Sequence, residues 1–94
     1  MSVSGANLEQ LYQLGKQFCS DADSIQTLIK NIDNQIAAAQ WTGTNATQWT
    51  NQWQSQFKPA LNNVGEGQGG LRPTGVYLMG QAQGIGQATG TQVG

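Results

Sequence analysis

Gln40-Trp41-Thr42-Gly43-Thr44-Asn45 lies near the middle of the chain, between two long helical patterns. Before it, no Gly or Pro interrupts the sequence after Gly15. After it, Thr44 and Asn45 are residue types that cap helix N-termini well. Gly43 can take a positive φ at no steric cost, so it can end one helix and reverse the chain within a few residues. Trp41 is a large apolar wedge for the point where two antiparallel helices separate. The local reading is a turn between two arms of similar length.

Working back from the bend, Leu8, Leu11, Gly15, Phe18, Ala22, Ile25, Ile29, Ile32, Ile36 and Ala39 advance by alternating threes and fours. Leu8, Gly15, Ala22, Ile29 and Ile36 form one heptad row, and Leu11, Phe18, Ile25, Ile32 and Ala39 the other. Asn7 with Gln10 resembles a capping box, and Glu9 suits a helix start. The first arm is therefore expected over about 5–40, a rod roughly 50 Å long at 1.5 Å per residue. Gly15 and Ala22 allow a partner helix to come close. Leu14, Cys19, Leu28 and Ala37 widen the stripe beyond a two-stranded seam. Asp21 and Asp23 diverge by about 200° on a helix and cannot share a ligand, so with Asp33 they read as a solvated face. Cys19 reads as a small hydrophobe.

Forward from the bend, Trp49, Trp53, Phe57 and Leu61 advance by fours, which places them in a core rather than around a ligand. Pro59 removes a helical hydrogen bond and predicts a kink over 55–59. Gly65, Gly67, Gly69, Gly70, Pro73, Gly75 and Gly80 follow closely, and propensity alone would end the helix at Val64. The apolar period disagrees. Phe57, Val64, Leu71, Leu78 and Ile85 keep one seven-residue row, with Leu61, Gly75 and Ala82 on its companion. Packing overrides propensity here. The second arm is expected over about 44–83, broken near 65–75, and 84–94 is expected to be a flexible tail.

Composition excludes several function classes. The 94 residues carry four basic and five acidic side chains, net charge −1, which removes the basic footprint that nucleic-acid binding needs. There is no histidine, and the one cysteine can form neither an internal disulfide nor a Cys-pair zinc site. No local spacing gathers an acid, base or nucleophile, so no enzyme, metal or cofactor is expected. No apolar run spans a membrane, neither arm is apolar all round, and no cleaved signal peptide is visible, so stable membrane insertion is not expected.

Ordering some eighty residues costs roughly 1–2 kcal/mol of backbone entropy each. A bare two-helix hairpin leaves about half of each wide stripe wet. The expected fold is therefore all-α: an antiparallel hairpin that dimerises into a four-helix bundle. Its core residues are Leu8, Leu11, Phe18, Ile25, Ile29, Ile32, Ile36, Trp49, Trp53, Phe57, Leu61, Val64, Leu71 and Leu78.

With two heptad arms around Trp41-Thr42-Gly43, and Trp49, Trp53, Phe57 and Pro59-Ala60-Leu61 downstream, the chain resembles the WXG family of ESAT-like proteins. These are small substrates of type VII (ESX) secretion. The resemblance covers nearly the whole chain. It implies a homo- or heterodimer with itself or a second WXG-family subunit, and dealings with a type VII secretion ATPase. It also implies export to the cell surface or medium without a cleaved signal peptide, the protein acting as effector or as co-secreted chaperone. In that family an export signal, Tyr-x-x-x-Asp/Glu, follows the second helix. Here Tyr77 has its counterpart, but Gln81 stands where the acid would be. The alternative function is an intracellular coiled-coil adaptor.

Overall fold

In the computed structural model, which describes residues 5–39 and 43–94, the chain is an antiparallel helical hairpin. Helix α1 (Gly5–Ala38) is the unbroken first arm. The second arm has three helices, α2 (Thr44–Gln52), α3 (Lys58–Glu66) and α4 (Leu71–Thr89), with a π-helical turn at Trp53–Phe57 joining α2 to α3. No strand occurs among the described residues. The rod measures 63 × 20 × 15 Å.

Each departure from a plain helix has a local cause. Gly43 precedes α2 with φ 99°, the left-handed freedom expected of it, and serves as the N-cap. Thr44 and Asn45 lie inside the helix rather than capping it, and it is Thr47 that returns a hydroxyl and an amide to the Gly43 carbonyl at 3.1 Å. Asn7 likewise falls within α1 rather than at its N-cap position. The π turn answers Pro59. A proline ring collides with the carbonyl four residues back, that of Ser55, and offers no N–H to it. Widening the preceding turn relieves both problems, and the Lys58 N–H reaches back to the Trp53 carbonyl instead.

The heptad row Leu8, Gly15, Ala22 and Ile29 is buried, with Ile36 half-buried at its end. Toward the bend this row packs against Trp53, 3% exposed. Along α4 it meets the small residues Gly75 and Ala82, with Met79 lying against Gly15. Here the two backbones nearly touch. A Cβ on Gly15 would stand 2.6 Å from the Gly75 carbonyl oxygen, and one on Gly75 would stand 2.5 Å from that of Gly15. The close approach expected at Gly15 and Ala22 is made by the chain's own second arm.

The second arm extends further than its expected end at Gln83. Helix α4 runs to Thr89 and is closed by Gly90 at φ 73°, with the Thr91 N–H returning to the Gly86 carbonyl at 2.7 Å. Residues 91–94 then fold along the start of α1, where the Gly94 N–H donates to Glu9 Oε2 at 3.2 Å. The 84–94 segment is thus helical to Thr89, its end closed by Gly90 and by Thr91 and Val93 over Gly86. The interruption expected over 65–75 narrows to 67–70.

Candidate functional site

Helical spacing divides the hairpin lengthwise into two unlike faces. On α1, the row Leu11, Phe18, Ile25 and Ile32 sits about 60° to one side of the buried seam. On the antiparallel arm, Phe57, Val64, Leu71, Leu78 and Ile85 fall on that same side. The α1 row is half-buried, as are Leu71, Leu78 and Ile85. Val64 is 53% and Phe57 45% exposed, and Leu14 and Leu28 broaden the patch from the far edge of α1. Phe18, Val64 and Leu71 together line an open groove of ≈ 400 Å³ beside the 67–70 interruption. A second groove, lined by Ile32, Ile36, Gln35 and Trp49, lies toward the bend.

Of the core residues expected from the sequence, Leu8, Ile29 and Trp53 are buried within the hairpin itself. Leu11, Phe18, Ile25, Ile32, Ile36, Leu61, Leu71 and Leu78 are half-covered. Trp49, Phe57 and Val64 are largely exposed, so they do not belong to the core of a single hairpin. A one-dimensional heptad cannot separate the seam between a chain's own arms from a stripe that faces outward. The rigid aromatic of the pair is Trp53. Trp49 stacks on it with ring centroids 6.3 Å apart and planes inclined by 3°.

The opposite face is held by charge and is polar apart from Val76, 57% exposed one turn from Arg72. Asp33 accepts the Trp53 indole N–H at 2.8 Å and the Lys58 ammonium at 2.7 Å. These bonds, Lys58 first and Trp53 second, hold the Asp33 carboxyl below its ordinary range. The solvated reading of Asp33 is therefore corrected: sequence spacing within α1 gave no sign of partners on the other arm. Arg72 donates Nε–H to Glu66 Oε1 at 2.8 Å and its Nη2 to Asp23. Its guanidinium is pushed to still higher pKa by those carboxylates, Glu66 foremost. Asp23 thus also has a partner, while Asp21 is held by Gln17 Nε2 at 2.8 Å on its own helix. Gln26 Nε2 bonds Asn62 Oδ1 at 2.8 Å across the arms. Lys16 and Lys30, one residue after Gly15 and Ile29, fall on this polar side too, so all four basic residues are turned away from the apolar face.

The remaining sequence-based candidates are scattered. Gly43 is exposed at the bend; Trp41 lies outside the described residues. Tyr77, 62% exposed, and Gln81 share the outer surface of α4, one turn apart and well inside the helix rather than beyond its end. Cys19 is half-buried, its thiol 3.8 Å from the Arg72 carbonyl. Among the described residues no three His, Cys, Asp or Glu side chains gather to hold a metal, and no helix is long and apolar enough to cross a membrane.

No family model, curated protein or solved structure matches this chain.

Proposed function

We propose that this chain is a non-enzymatic helical-hairpin protein of the WXG kind. Two hairpins pair through their apolar faces into a four-helix bundle, which a type VII secretion system exports folded. The supporting observation is the segregation of surface. Phe57, Val64, Leu14 and Leu28 are exposed along one side, and every basic residue lies on the other. Contiguous apolar surface on a small protein marks a place where something docks. Two long helices already fixed in a hairpin present half of a four-helix bundle. The Trp41-Thr42-Gly43 triplet between two heptad arms supplies the family resemblance and hence the export route.

Tyr77 and Gln81 favour one form of this reading. A neutral amide accepts a hydrogen bond but forms no charge-assisted pair, and such pairs are roughly twice as strong as neutral ones. Export accordingly depends on a second subunit that carries its own Tyr-x-x-x-Asp/Glu, which makes the exported unit a heterodimer. The test is secretion of the chain expressed with and without a co-expressed WXG-family partner, beside a Gln81→Glu variant. Export that requires the partner, and a gain on Gln81→Glu, are the expected results. Efficient export of the unmodified chain alone leaves a self-sufficient homodimer. Retention in the cell under every condition leaves the intracellular coiled-coil adaptor.

A further inference from the structure

The second arm is unevenly built, and α4 is its weak part. Between α3 and α4 the helical hydrogen-bond ladder stops: Gly67 and Gly70 are extended, and Gly69 is left-handed at φ 75°. The turn is closed by its own bonds, Gly67 N–H to the Asn63 carbonyl at 2.9 Å and Gly70 N–H to the Gly67 carbonyl at 2.8 Å. Nothing in that backbone couples the two helices rigidly. Helix α4 starts at Gly70 without a side-chain cap, carries no acid in its first turn and has no base in its last. Its N-terminus thus lacks both usual aids, and only its C-terminus is closed, by Gly90.

Its interior is glycine-rich for two different reasons. Gly75 and Gly86 are required, because a Cβ at either would meet backbone oxygen within 2.6 Å. Gly80 and Gly84 are not required: a Cβ at either would meet nothing within 4 Å. A helix-interior glycine that no neighbour needs weakens the helix about fivefold relative to alanine in its folding equilibrium. The buried α4 residues are all small, Gly75, Ala82 and Gly86, and the larger side chain that reaches Gly15 on this seam is Met79. The bend half is different. There Trp53 is buried against α1, with Asp33 tying its indole to Lys58.

We propose that α4 is a hinged arm that opens from α1 as a unit about Gly67–Gly70 while the bend half stays folded, with Arg72 as its latch. Arg72 is placed for this role. It stands in the first turn of α4 and reaches both Glu66, at the end of α3, and Asp23 on α1. Breaking those pairs removes the ionic ties between the start of α4 and both neighbouring helices. Opening uncovers Leu8 and Gly15 in the first half of α1, while Ala22 stays against Gly65 of α3. The hinge concerns the single hairpin and stands apart from the export reading.

The test is native-state hydrogen exchange on the full chain at low denaturant, read separately for 76–88, for 8–22 and for the bend half (26–37 with 47–62). The expected result is a shared opening of 76–88, with 8–22 weakened alongside it, at least tenfold more frequent than opening of the bend half. Gly80→Ala with Gly84→Ala slows exchange of 76–88 by roughly ten- to thirtyfold, following helix propensity, and leaves the bend half unchanged. Arg72→Gln speeds exchange of 76–88 and, with it, of 8–22, and leaves the bend half unchanged. Three results overturn the proposal: one opening shared by both halves, equal slowing of both halves by the alanine pair, or graded fraying inward from Thr89 that ignores Arg72. Should Arg72→Gln unfold the whole chain, the alanine pair still decides.

Discussion

Asp33 shows at the scale of one residue how this hairpin is fixed in register. It holds Trp53 and Lys58, which come from two successive elements of the other arm. Its pKa is depressed in the folded state, so the pair's contribution is full above the ordinary value of 3.8 and is lost as pH falls through the folded value. Chemical denaturation of the wild type and of Asp33→Asn checks this. Wild type is expected to be the more stable near neutrality, and the gap between them should narrow as pH falls below 3.8 and through the lower folded value. Trp53→Ala leaves a cavity at the most buried aromatic and is expected to cost about 3–5 kcal/mol, with Trp53→Phe costing less. The i+4 spacing of Trp49, Trp53 and Phe57 marked an aromatic face in the sequence. It did not say which ring turned inward. That choice follows from where the π turn rotates the arm and from the carboxylate waiting on α1, and neither is visible in a local pattern.

At the scale of elements, glycine separates what packing demands from what the helix merely tolerates. Gly15 and Gly75 meet backbone to backbone, so Gly75→Ala forces the arms apart. A Tm loss corresponding to about 1–3 kcal/mol is expected, read by thermal denaturation. Gly80→Ala, with open space around the new methyl, is expected to raise Tm instead. Opposite signs from one chemical change in one helix are the check. The elements themselves were largely legible. The unbroken heptad gave α1 nearly to its last turn, Pro59 located the disturbance before α3, and the persistence of Leu71, Leu78 and Ile85 in register outweighed the glycines around them. The extension of α4 to Thr89 was hidden, because Gly84 and Gly86 read as a coil in isolation, and the 91–93 turn that closes over Gly86 is not visible in a local pattern. The ionic strap from Arg72 to Glu66 and Asp23 was hidden too, since it joins residues 49 apart along the chain.

For the molecule as a whole, the feature that matters is the asymmetry of its two long sides. One carries the ion pairs and all four cations, and the other carries Leu11, Phe18, Ile25, Ile32, Val64, Leu71 and Leu78 in unbroken succession. The heptads announced more apolar surface than one hairpin could bury, and the fold assigns that surplus to a single side. A stable pair of hairpins needs on the order of 800 Å² from each partner. A face that runs the length of a 63 Å rod has room for that. Sedimentation equilibrium of the purified chain at low micromolar concentration, alone and with a candidate partner, tests the pairing most directly. A folded hairpin that pairs through this face gives twice the 10.0 kDa chain mass when it pairs with itself, or the sum of the two chain masses with a partner. A Phe18→Glu/Val64→Glu variant returns that to a single chain. A helical monomer that stays at 10.0 kDa in every mixture, or a dimer indifferent to both substitutions, would contradict it.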